Sequence, residues 1–168
     1  LITSTNVGLD HEWGIDHGTW TVVRHMYPNA DIPVLQLSID YNKPAQYHYD
    51  LAKQLASLRK KGVLIIGSGN MVHNLGMIAW DKMQEPEYGF DWAIEMNSIF
   101  KDKIANGDHN ALINFEKLNA AAKLAIPTPD HYFPLLYNIA LQDDNDEIQF
   151  FNDKPVAGSL TMTSVKIG

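Results

Sequence analysis

Three histidines lie in sequence contexts that could support chemistry, and the first of them is His17. It stands between Asp16 and Gly18, directly before a predicted helix. The glycine would let a ligand come close to the backbone, and the amides at a helix start favour an anion such as a phenolate or a carboxylate. The alternative is that Asp16 caps the helix and that His17 has no chemical role.

The second histidine, His73, ends a loop that begins after the apolar run 63–66. Ligands of α/β sheets bind beyond the carboxyl ends of strands, so a neutral His73 imidazole is well placed to bind a metal ion. The loop contains Gly67-Ser68-Gly69, but it lacks the third glycine of a dinucleotide fingerprint and the lysine of a P-loop. The alternative for His73 is a hydrogen bond to a loop carbonyl.

The third histidine, His131, follows two prolines that stiffen the start of a predicted helix. Its context alone favours an exposed histidine in a first helical turn. The remaining histidines carry no such signature and are predicted to be structural or exposed: His11, His25, His48 and His109. Four aromatic residues are candidate pocket walls, although aromatic residues at such positions more often belong to a core: Trp20, Trp80, Tyr132 and Phe133.

The composition narrows the chemistry further. The 168 residues fit one domain or the larger part of one, and the formal net charge of -7 disfavours nucleic acid as a partner. No cysteine is present, which excludes disulfides, thiolate zinc sites and cysteine nucleophiles. No apolar run is long enough to span a bilayer, and no secretory signal is visible, so we expect no membrane partner and a cytoplasmic location.

The elements that must position these histidines alternate short apolar runs with longer helical patterns, which predicts an α/β fold. Strands are predicted at 32–39, 63–66, 148–151 and 159–167. Helices are predicted at 18–27, from Pro44 to about Lys61, at 90–105 and at 128–141, with one or two short helices within 111–124. The strand–helix–strand order over 32–66 fits one right-handed crossover unit.

Several segments together resemble class III extradiol ring-cleavage dioxygenases, and within them the 4,5-DOPA extradiol dioxygenase branch. The similarity covers essentially the whole chain in the same order. The segments that carry it are 13–20 with Asp16-His17-Gly18, 26–40, 67–75 with His73, 127–132 with His131, and 158–162. The resemblance implies the fold of that catalytic domain, a mixed or mostly parallel sheet flanked by helices.

The resemblance also implies a function and a site. It makes His73 a metal ligand, His131 a residue that lines or completes the same metal site, and His17 the catalytic acid/base. The implied metal is Fe(II) for catalysis, with zinc in the site of some purified preparations. The implied reaction inserts O2 into a small aromatic diol, a catechol such as DOPA, and opens the ring. Neither the substrate contacts nor the oligomeric state follows from the sequence.

One part of the family pattern does not occur. The family supplies two further metal-binding histidines in His-Gly-Ser-Pro-like and Ser-x-His-Trp-like loops, and neither loop is present. The resemblance therefore predicts that residues 1–168 are the C-terminal portion of a single catalytic domain, inactive and weakly metal-binding alone. Two alternatives on the same fold are a non-enzymatic binding protein, in which the contexts of His17 and His73 would be expected to be lost, and a zinc-dependent hydrolase.

Overall fold

The structure, a computed structural model, describes residues 1–168. Its α-helices are α1 His17–Met26, α2 Ala45–Lys53, α3 Ala56–Arg59, α4 Asp91–Ala105, α5 His109–Ile113, α6 Ala122–Ala125 and α7 Phe133–Ile139. Short 3-10 turns lie at Leu75–Met77, Trp80–Lys82, Phe115–Lys117 and Pro129–His131. The strands are β1 Ile148–Phe151, β2 Pro155–Val156, β3 Leu160–Thr161 and β4 Ser164–Ile167. None of the helices combines the length and the apolar character that crossing a membrane requires.

The main core forms around α4, which confirms the helix predicted at 90–105. Met96, Phe100 and Ile104 lie four residues apart and are fully buried, so they form one apolar stripe along α4. Tyr132, which directly precedes α7, and Leu136, in the middle of α7, are buried in the same cluster. The packing of α4 against α7 and the preceding Tyr132 therefore holds the adjacent segment that contains His131.

Two predicted long helices are interrupted. The helix expected from Pro44 to Lys61 tightens after Lys53, where Gln54 and Leu55 donate to carbonyls three residues back, and it resumes as α3. The helix expected at 128–141 begins as a 3-10 turn, since Pro134 has no N–H and lies in the first turn of α7. Thr128 precedes this turn and makes no side-chain capping bond.

The sheet is the largest departure from prediction. Helix and strand content confirm an α/β chain, but the mostly parallel sheet is not confirmed. The strands form two antiparallel pairs, β1 with β4 and β2 with β3. The expected strand 148–151 is confirmed as β1, whereas the expected strand 159–167 is divided between β3 and β4, which belong to different sheets.

Segments 32–39 and 63–66 do not form strands. No neighbouring strand lies beside them to satisfy their backbone N–H and C=O groups, and this is the physical reason that no parallel ladder forms. Their apolar side chains are correspondingly open: Leu35 is 90% exposed and Leu64 is 60% exposed. The apolar run 63–66, predicted as a strand, is therefore an apolar surface in this structure.

Candidate active site

The structure brings His73 and His131 into direct contact. Their imidazole rings are stacked, with centroids 3.7 Å apart and planes inclined by 10°. The two residues lie 58 positions apart in the sequence, so only the tertiary fold unites them. This pair is the centre of the candidate site.

The segment that carries His73 is held on two sides. On one side it runs antiparallel to the region of β3: Thr161 N–H donates to Val72 C=O, Asn74 N–H donates to Ser159 C=O, and His73 forms a bridge with Leu160. On the other side His73 N–H donates to Ala125 C=O at 2.8 Å. With Val72 fully buried, the backbone is fixed and the half-buried His73 ring projects toward His131.

His131 is held by its backbone and by a carboxylate. Its C=O accepts from Asn70 N–H at 2.9 Å, which ties the 3-10 turn to the loop that leads to His73. Its Nδ1 lies 2.6 Å from Asp130 Oδ2. A carboxylate on one ring nitrogen fixes the ring direction and leaves Nε2 as the nitrogen free to bind a ligand.

Gly67 and Gly69 do not belong to a nucleotide-binding motif. They allow the backbone of their loop to pack closely against the segment from His131 to Asn138. A Cβ at Gly69 would lie 2.1 Å from His131 O, and one at Gly67 would lie 2.2 Å from Asn138 Oδ1 and 2.5 Å from Pro134 O. No other residue type fits there unless the backbone moves. The Gly67–Gly69 loop thus sets how closely the His73 segment approaches the turn with His131.

Replacing Gly69 with alanine should consequently push the His131 turn away from the loop. Overpacking of this kind costs about 1–3 kcal/mol, so the melting temperature should fall by roughly 3–10 °C. The measurement is thermal unfolding followed by circular dichroism. Gly14→Ala is the matched control, because a Cβ at Gly14 meets nothing within 4 Å. Equal melting temperatures for the two variants would contradict this account of the loop.

The electrostatics favour a neutral His73. Burial lowers the pKa of His73, and the neighbouring His131 lowers it further. Burial alone would raise the pKa of Asp130, but hydrogen bonding by Thr128 and the adjacent His131 shift it below its usual value overall. A neutral imidazole beside an imidazole held by a carboxylate is the combination that metal-binding histidines use.

The donor set fits a metal ion only in part. His73 and His131 offer two imidazole nitrogens, and no group of three or more potential ligands occurs in the structure. Mononuclear catalytic sites with open positions use three protein ligands. Stacked, nearly parallel rings also cannot direct both lone pairs at one point, so one ring would have to turn to share an ion.

His17 begins α1 and is exposed, and no hydrogen bond or ring contact joins it to the histidine pair. Its helix is nevertheless attached to the loop of that pair, since Ser68 Oγ donates to Gly18 C=O at 2.7 Å. Asp16 caps α1 as expected and accepts from Thr19 N–H at 3.0 Å. One of the helix-start amides expected to attract an anion is therefore already occupied by Asp16.

The remaining candidates take different places. Tyr132 and Phe133 lie in the core, where Tyr132 donates to Leu112 C=O, while Trp20 and Trp80 are exposed. Of the four histidines predicted to be structural or exposed, His48 is fully buried and His109 bridges Tyr49 and Gln142. His11 and His25 are exposed.

Comparison with known proteins identifies the family to which this chain belongs. Residues 2–159 match the family model described as the catalytic LigB subunit of aromatic ring-opening dioxygenase. A relative from Escherichia coli K12 named 4,5-DOPA dioxygenase extradiol is 40% identical over an alignment that covers 100% of this chain and 62% of the relative. One from Beta vulgaris with the same name is 33% identical and covers 96% of this chain and 59% of the relative.

A solved structure agrees with the sequence relatives. The crystal structure of an uncharacterized protein from Escherichia coli K12 superposes with a TM-score of 0.87 at 39% identity, covering 97% of this chain and 67% of the other. The chain spans about 62% of the length of the first relative and 59% of the second. Since the family model matches nearly the whole chain, this protein belongs to the LigB family of aromatic ring-opening dioxygenases.

Proposed function

We propose that this chain is part of an extradiol dioxygenase that opens the ring of a small catechol such as DOPA. The observation that carries the proposal is the contact between His73 and His131, two imidazoles brought together from distant segments within a chain of the LigB family. The names of the relatives from Escherichia coli and Beta vulgaris support a catechol with an amino-acid side chain as substrate.

In the proposed reaction His73 and His131 would hold a metal ion, Fe(II) during turnover and zinc in some preparations. The ion would supply coordination positions for the two catechol oxygens and for O2. Asp130 would keep the His131 ring oriented through Nδ1, and burial would keep His73 neutral and ready to bind. Both oxygen atoms of O2 would enter the ring-opened product, and the catechol itself would supply the electrons.

His17 would serve as the acid/base. It would take a phenolic proton from the bound catechol and return it as the ring opens, because an imidazole nitrogen can both accept and donate a proton. The link from Ser68 to Gly18 supports this role, because it connects the start of α1 to the loop that leads to His73.

Residues 1–168 would form the C-terminal portion of one catalytic domain. Two features support this proposal: the pair supplies fewer ligands than a mononuclear catalytic site needs, and the apolar segments 32–39 and 63–66 have no strand beside them. The chain of 168 residues alone would then bind metal weakly and be inactive. A cytoplasmic location is part of the same proposal and can be tested by cell fractionation.

The experiment is oxygen uptake by the complete gene product, loaded anaerobically with Fe(II) and offered DOPA and simple catechols. Uptake matched mole for mole by a yellow ring-opened product is the expected result. No uptake with any catechol, at confirmed iron occupancy, would overturn the proposal and favour a binding protein or a zinc-dependent hydrolase on the same fold.

A further inference from the structure

The start of α1 is held by a glutamine that no motif singles out. Gln36 lies in the extended segment 32–39, and its Oε1 accepts from Asp16 N–H at 2.9 Å and from Thr19 Oγ1 at 3.1 Å. Its Nε2 donates to Asp16 Oδ2 at 3.1 Å. One amide side chain thus contacts the backbone and the side chain of the capping residue and, in addition, the first turn of α1.

These bonds matter for His17 because the His17 ring has none of its own within the chain. The place of such a ring is set by the backbone that carries it, because the backbone fixes the Cα and Cβ atoms from which the ring extends. Here that backbone is fixed by Asp16, whose Oδ1 accepts from Thr19 N–H, and Asp16 is in turn fixed by Gln36. Ser68 holds the next residue, Gly18, from the other side.

We propose that Gln36 is a positioning residue for His17, acting through Asp16, in a role that rests on the ring-opening function proposed above. Gln36 does not touch substrate in this role. It keeps the capping carboxylate aligned along α1 and thereby fixes the backbone from which the His17 ring extends for proton transfer. A displacement of about 1 Å at an acid/base group is enough to lower a rate by up to about 100-fold.

The polarity of the contact permits a specific test. Gln36→Glu keeps the size and the Oε1 acceptor, but it replaces the donor to Asp16 Oδ2 with an oxygen, so two carboxylates would repel each other. Adding Asp16→Asn reverses donor and acceptor, because the asparagine amide can now donate to the new carboxylate. Asparagine is as good a helix cap as aspartate, and the total charge of the pair equals that of the wild type.

The experiment compares wild type, Gln36→Glu and Asp16→Asn/Gln36→Glu in the complete Fe(II)-loaded protein. We expect kcat to fall about tenfold in Gln36→Glu with KM within twofold, and to return to within twofold of wild type in the double variant. Gln54→Ala is the matched control: Gln54 makes a comparable set of bonds to Thr3 and Ser4 and none to Asp16, Thr19 or His17, so its loss should leave kcat unchanged.

A second readout does not depend on activity. Amide hydrogen exchange at Thr19, whose N–H is bonded to Asp16, should accelerate in Gln36→Glu and slow again in the double variant. Unchanged kcat in Gln36→Glu, in a wild type that opens catechols and loses activity in His17→Ala, would overturn the role of Gln36. A kcat loss that the double variant does not rescue would also overturn it. A wild type inactive on every catechol would instead refute the ring-opening function, while the exchange data would still report on the cap.

Discussion

Replacing His17 with alanine in the complete Fe(II)-loaded protein is expected to lower kcat for catechol opening by about 10²–10⁴-fold, the usual contribution of one acid/base group. KM and iron content should stay near wild type, because His17 contacts neither His73 nor His131 in the structure. The measurement is oxygen uptake at saturating substrate, with iron quantified in the same samples.

The control for this substitution lies on the same helix. His25 is in the last turn of α1, is exposed, and uses Nδ1 only to contact Thr21 C=O at 2.7 Å. His25→Ala should therefore keep kcat within about twofold, as ordinary surface substitutions do. If His17→Ala kept more than a third of wild-type turnover, proton transfer would have to be assigned to another group.

Local structure was predictable wherever it depends on local spacing. The apolar stripe of α4 and the Asp16 cap of α1 both follow from residues within one or two turns of each other. The end of the helical segment after α3 is equally local, since Gly62 adopts a positive φ of +74°, which glycine accepts most readily. Where a proline competes with a helical pattern, as Pro134 does, the sequence marked the helix but not its interruption.

The sheet could not be predicted in the same way. An apolar run such as 63–66 indicates that its side chains favour burial. A strand also needs a neighbouring strand that hydrogen-bonds to its backbone, and the run carries no information about that neighbour. The partner of His73 is a case in point: Leu160 lies 87 residues away, and the pairing of 72–74 with 159–161 depends on the whole fold. Such long-range pairings carry no signature in one sequence.

The candidate site also combines local features, which the sequence predicts, with long-range contacts, which it does not. Each of the three histidines has a local context that draws attention, but the contact of His73 with His131 was expected from family resemblance and not from spacing. Gln36 was missed entirely, because a glutamine within an apolar run looks like the polar face of a strand. Only the structure reveals its role, because its side-chain amide contacts Asp16, the capping residue 20 positions earlier in the sequence.

Replacing His73 with alanine is expected to weaken metal binding by roughly 10²–10³-fold. Zinc sites with four ligands bind with about 10–16 kcal/mol, so one ligand accounts for about 2.5–4 kcal/mol, which corresponds to that range. The measurement is calorimetric titration of the metal-free complete protein with zinc, which reads binding without turnover. His131→Ala should give a similar loss, because the two rings are neighbours and would donate to the same ion once one of them turns.

A histidine outside the pair provides the control for metal binding. His11 is exposed and takes no part in ring contacts or hydrogen bonds, so His11→Ala should bind zinc as the wild type does. A fall in affinity for His73→Ala and His131→Ala alone would establish the pair as ligands, whatever reaction the protein catalyses. Retention of wild-type affinity in His73→Ala would mean that the stacked pair serves the packing of its two loops, since those rings then hold no ion.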